Sequence, residues 1–177
     1  YRKMNVNTHA EKILSEITGN QGNLWVYFLA LANLALKESG RVGAVIPITL
    51  AVGAATQKIR KYLLTNFSTN FIVKPSIDDK AFSQNASFKD VLFIADKRKP
   101  TVNDKTAIIS FKSSVKEMEE SRVFEIVYEL QRIYANNQIG YSSSNNDYNV
   151  RIIPTRELSE NTTGFMPFLV APQLFDF

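Results

Sequence analysis

The chain has 177 residues, 45% apolar and 21% charged, the composition of one ordinary soluble globular domain with a single substantial core. It has no cysteine and one histidine, which excludes disulfides, thiolate zinc sites and a cysteine nucleophile, and leaves a Ser-His-Asp triad resting on His9 alone. A net charge of +4 suits a phosphate-bearing partner without requiring one.

No apolar run reaches the roughly 18 residues of a spanning helix, because Lys37, Glu38 and Arg41 close the longest one. The N-terminus has no secretory pattern, so a cytoplasmic location is expected. A chain opening on Tyr1 reads as a piece of something longer.

In chain order, Thr8-His9-Ala10-Glu11 fits a capping box for a first helix, with Gly19 as its stop. A second helix is predicted over 23–38, with Leu24, Phe28, Leu31 and Ala35 at helical spacing and a wide apolar surface. Val42 to Ile46 is apolar without alternation. Such a run, bounded by Gly40 and Pro47, predicts a strand buried on both faces. A third helix follows over 54–66, with Ile59, Tyr62 and Leu63 inward and Lys58, Arg60 and Lys61 outward. Phe71 to Val73 and Val91 to Ala95 predict two more strands, the last antiparallel at an edge, separated by a long polar loop. Thr106 to Phe111 predicts a further strand. Ser114-Val115-Lys116-Glu117 then offers a second capping box for a helix ending near Ala135. The Asn- and Ser-rich stretch 136–149 reads as a loop, Val150 to Ile153 as the last strand, and the tail from about 106 as an appendage. Helix and strand alternate up to residue 95. This is an α/β pattern.

No phosphate-cradling glycine motif is present, since Gly40 and Gly43 stand at a helix end and inside a strand. The acid pairs Asp78-Asp79 and Glu119-Glu120 read as solvated, and His9 as a surface residue. Three features stand out. Proline cannot donate to a sheet ladder, so a strand ends at Pro47, and ligands of open α/β sheets sit beyond such carboxyl ends. Pro47, Ile48 and Thr49 therefore border a site, or mark a plain strand end. Lys58, Arg60 and Lys61 either meet phosphates or solvate a helix face. Phe82, among small and polar residues on the long loop, either folds onto the core or offers a stacking platform for an unpaired base.

The order of these pieces resembles the N6-adenine DNA methyltransferases of type I and type II restriction–modification systems. The resemblance rests on Leu24-Trp25-Val26-Tyr27-Phe28, on Ser39-Gly40-Arg41-Val42-Gly43-Ala44-Val45-Ile46-Pro47, on Ile59-Arg60-Lys61-Tyr62-Leu63-Leu64, and on Ala81-Phe82-Ser83 with Asp90 through Lys97. It covers about residues 22–98. It implies a partial S-adenosylmethionine-dependent (Rossmann-like) methyltransferase sheet with flanking helices and one antiparallel strand. It also implies methyl transfer to an adenine flipped out of duplex DNA, because the exocyclic amine is unreachable inside the stack.

By position, the resemblance implies that Phe82 stacks on the base and that Pro47, Ile48 and Thr49 line the pocket floor. Arg60 and Lys61 would touch the DNA backbone or anchor their helix. Duplex DNA is the implied partner, with a specificity or restriction subunit beside it and no membrane. The family's Pro-Pro catalytic tetrapeptide, glycine-rich cofactor strand and ribose-binding acid are absent, and are expected before Tyr1. Residues 1–98 then form the back half of a catalytic domain and 99–177 a segment leading towards a target-recognition region. No catalytic residue lies in this chain, and alone it is expected to bind the cofactor weakly or not at all. The competing reading is a non-catalytic α/β binding or scaffold module.

Overall fold

The computed structural model describes residues 14–17, 24–52, 56–76, 79, 82 and 89–160. The capping box at Thr8 and the glycines and prolines beyond 160 lie outside them. Helix α1 spans Leu24–Ala35 and strand β1 Arg41–Pro47, followed by the single turn α2 (Thr49–Val52) and α3 (Gln57–Asn66). Strands β2 (Phe67–Lys74), β3 (Asp90–Lys97) and β4 (Lys105–Phe111) come next. A 3-10 turn (Val115–Glu117) leads to α4 (Glu120–Asn136), then β5 (Ser142–Ser144), β6 (Tyr148–Pro154) and the short α5 (Glu157–Glu160).

The six strands form one sheet in the order β1-β3-β2-β4-β6-β5. The strands expected at 42–46, 71–73 and 91–95 therefore share a sheet, flanked by α1 and α3. Strand β3 is antiparallel to both neighbours, as expected, but it lies between β1 and β2 instead of at an edge. In this position its Phe93 and Ala95 are buried in the core on one face of the sheet. Strand β4 runs parallel to β2, and a second reversed strand, β6, separates β4 from β5. The strands after residue 99 thus continue the same sheet. The stretch expected as a loop at 136–149 contains β5, which hydrogen-bonds into a hairpin with β6.

The expectation that Val42–Ile46 is buried on both faces is corrected. Among the described residues no strand pairs with the outer side of β1, and Val45 is 47% exposed. Only the side facing the helices is covered, where Ile46 is buried and Val42 and Ala44 are partly so. The turn into β1 is tight. Ser39 adopts a left-handed backbone (φ 63°), and a Cβ on Gly40 would sit 2.8 Å from the Lys37 carbonyl oxygen.

Two cores lie on opposite faces of the sheet. On one face α1 and α3 bring Val26, Leu29, Ile59 and Leu63 onto Ile72 and Phe93. On the other, α4 brings Ile126 and Leu130 onto Val73, Ile109 and Val150. Each fully buried side chain of this size contributes about 1.5–3 kcal/mol of transfer free energy. The second capping box does not form. Ser114 turns its hydroxyl away from the helix, and α4 starts only at Glu120.

Candidate functional site

Strands β1, β2 and β4 end at the same edge of the sheet, where β3 and β6 begin. The register shows it: Pro47 pairs with Asp90, Val73 with Leu92, and Phe111 with Tyr148. This carboxyl edge is where an open α/β sheet receives ligands.

Pro47 closes β1, and the Ile48 amide donates to the Lys89 carbonyl at 2.9 Å, which fixes the chain just past the strand. Ile48 packs against the first core, and Thr49 is exposed. Alternation turns Pro47 to the opposite face, the one on which Phe82 packs against the second core. Phe82 is partly buried. Its amide donates to Asp90 Oδ1 at 2.6 Å, and the Asp90 side chain is almost fully buried. Asp90 thus links the two features read from sequence: its backbone pairs with Pro47 and its carboxylate holds Phe82. Sequence reasoning missed that role. The signal was an acid placed directly before an apolar strand, where only a buried donor makes its burial tolerable.

The expectation of solvated aspartates is corrected for Asp79; Asp78 lies outside the described residues. Asp79 accepts hydrogen bonds from the Ser114 hydroxyl and, at 2.9 Å, from the Val115 amide, and its own amide donates to Ser76 Oγ at 3.1 Å. It caps the 3-10 turn and ties the long loop to the segment after β4. The hydroxyl expected to cap a helix is spent on this tie.

The outward placement of Arg60 is likewise corrected. Arg60 is 7% exposed and its Nη1 donates to the Leu50 carbonyl at 2.8 Å. The guanidinium thus caps a carbonyl of the short turn α2, which also accepts from the Thr56 hydroxyl at 3.4 Å. Burial lowers the Arg60 pKa from its ordinary value. Of the basic run, Lys58 and Lys61 remain exposed on α3. Two further cations stand at the carboxyl edge. Lys74 is half-buried, with its pKa lowered by burial and then by the charge of Lys89, which is exposed.

The opposite edge is a set of staples. Arg41 Nε donates to Asp96 Oδ1 at 2.7 Å, and Asn70 Nδ2 donates to Asp96 Oδ2 at 3.2 Å. Arg98 grips Asp104 through two bonds of 2.7 and 3.0 Å, and Ser68 and the Thr101 amide add two more. Burial pushes the Asp104 carboxyl up, but these donors and the Arg98 charge outweigh it and hold the pKa at about 2.

The described residues do not form a cradle for S-adenosylmethionine. Gly40, Gly43 and Gly140 sit in a turn before β1, inside β1 and beside β5, none of them between a strand's carboxyl end and a helix. The buried carboxylate at the carboxyl edge, Asp90, already serves the Phe82 amide. Among the described residues no cluster of three or more His, Cys, Asp or Glu could hold a metal, and no helix is long and apolar enough to cross a membrane.

Solved structures with this arrangement come from restriction–modification proteins. A chain from a type I system, whose complex assembly and conformational transition are its subject, superposes with a TM-score of 0.60 at 19% identity over 85% of this chain. The type IIG restriction endonuclease BpuSI gives 0.58 at 19% identity over 89% of this chain. The type I methyltransferase subunit from Streptococcus thermophilus gives 0.51 at 18% identity over 77% of this chain. The chain spans 32%, 18% and 28% of those three structures, respectively. None of the curated proteins matches. The model of the N-6 DNA Methylase family matches residues 3–148, most of the chain, which therefore belongs to that family.

Proposed function

We propose that this chain is the later part of the catalytic domain of a restriction–modification enzyme. That enzyme transfers a methyl group from S-adenosylmethionine to adenine N6 in duplex DNA. The family match over residues 3–148 carries the reading. The carboxyl edge supports it, because Pro47 and Phe82 meet there on one face through Asp90.

In this reading Phe82 stacks on the extruded adenine, and Pro47, Ile48 and Thr49 line the floor of its pocket. Lys61 meets the DNA backbone, whereas Arg60 anchors its helix. Residues 1–98 supply this half of the catalytic domain, and 99–177 lead towards target recognition. A specificity or restriction subunit is the protein partner, and the enzyme works in the cytoplasm. The cofactor is held by residues other than those described. The second reading is a non-catalytic scaffold.

Methyl transfer to duplex DNA by the full-length protein separates the two. Formation of N6-methyladenine supports the enzyme, and its absence under cofactor saturation supports the scaffold. Calorimetry on the isolated chain checks the division of labour. Micromolar binding of S-adenosylmethionine there would mean that the cofactor site is misplaced.

A further inference from the structure

Two lysines at the carboxyl edge take no part in the ion pairs among the described residues. Lys74 closes β2, and Lys89 immediately precedes β3. Side chains alternate along a strand, so Lys74, two residues past Ile72, and Lys89, two before Val91, leave the sheet on the same face. Ile72 and Val91 both belong to the first core, which identifies that face as the one bearing α1 and α3. Extending the register from Val73 and Leu92 makes the lysines diagonal neighbours, about 7–8 Å apart. Among the described residues, no hydrogen bond or ion pair engages either ammonium. The nearest acid in sequence, Asp90, turns to the opposite face and holds Phe82.

A half-buried cation facing a second cation without a counter-charge is unfavourable, and an anion shared between them relieves both costs. The lowered pKa of Lys74 agrees with that geometry. The two non-bridging oxygens of a phosphodiester present one acceptor to each ammonium. The loop at Pro47 and Ile48 adjoins them, since the Ile48 amide is bonded to the Lys89 carbonyl.

We propose that Lys74 and Lys89 together grip one phosphodiester of the DNA strand carrying the target base, and so position that strand over the carboxyl edge. This rests on the methyltransferase reading and assigns it two positioning residues. Lys61 on α3 would then meet a separate stretch of the backbone.

The salt dependence of duplex binding by the full-length protein tests it. Wild type is compared with Lys74→Gln/Lys89→Gln and with the charge-retaining Lys74→Arg/Lys89→Arg. The glutamine pair should lower the magnitude of the slope of log affinity against log salt by about 1–2. The arginine pair should keep the wild-type slope. Should the glutamine pair fail to fold, the single Lys89→Gln at an exposed position carries the test, with an expected loss of about 1. A glutamine variant with the wild-type slope overturns the lysine grip and leaves methyl transfer standing. An arginine pair as weak as the glutamine pair also overturns it, because charge is then not what matters. Wild-type protein that binds no duplex at any salt, even with its specificity subunit present, overturns both readings.

Discussion

The carboxylate of Asp90 accepts the backbone amide of Phe82 at 2.6 Å, while the Asp90 backbone pairs with Pro47 across the sheet. One buried acid therefore sets the position of the loop aromatic relative to the strand end. Asp90→Ala removes the charged acceptor of a part-buried amide, at a cost of about 1–3 kcal/mol. Thermal unfolding should show that loss, and hydrogen exchange at the Phe82 amide should speed up. An unchanged exchange rate would mean that the bond does not hold the loop.

Phe82 is only partly buried at the rim of the second core, so its truncation should be mild for the fold. A fully buried phenylalanine cut to alanine loses about 3–5 kcal/mol of stability, and Phe82→Ala should lose clearly less. In the full-length protein it should nevertheless cost about 1–3 kcal/mol of interaction with an extruded base, read as slower methyl transfer with cofactor affinity retained. A variant that melts early, or one that methylates normally, tells against stacking.

Arg60 and Lys61 are neighbours with opposite expected phenotypes. Arg60→Ala strips the cap from the Leu50 carbonyl and should destabilise by about 1.5–3 kcal/mol, the range for a hydrogen bond from a charged donor. Lys61→Ala lies on an exposed face and should leave the melting temperature within error. Its effect should appear in DNA affinity, with a salt slope reduced by about 1. Equal loss of stability in both variants would remove Lys61 from the DNA surface.

That pair also shows how far the sequence could be read. Helical spacing identified Ile59 and Leu63 as inward, and both are buried. It also sent Arg60 outward with its charged neighbours, because periodicity has no way to register a hydrogen bond to a carbonyl ten residues back, in the turn at Thr49–Val52. The strands at 42–46, 71–73 and 91–95 were legible as short apolar runs between breakers, and their shared sheet followed from alternation. The free side of β1 was not legible, since an apolar run specifies what a strand tolerates as neighbours and not which neighbours are present. Pro47 and Phe82 could be singled out as residue types in a context. Asp79 could not, and Asp90 only by its place before an apolar strand, because their roles are hydrogen bonds to partners 35 and 8 residues away.

Asp104 gives the fold a measurable acid dependence. Its carboxyl is held at about 2, below the value of 3.8 it has when unperturbed. A depressed carboxyl stabilises the folded state fully above the unfolded pKa, and that contribution is lost as pH falls through the folded one. Stability should therefore decline from about pH 4 to pH 2. Asp104→Asn, which cannot titrate, should flatten that part of the profile while lowering stability at neutral pH. Chemical unfolding at a series of pH values checks both.

The sheet is a party wall. Adjacent residues of a single strand, Ile72 and Val73, serve different cores, and β3 does the same with Val91 and Leu92. Neither hydrophobic layer can come apart without exposing the back of the other. Asp79 adds a second tie, fastening the loop after β2 to the turn before α4. The two layers are thus bound into one cooperative unit, and a lesion placed deep in either should lower the melting point of both together.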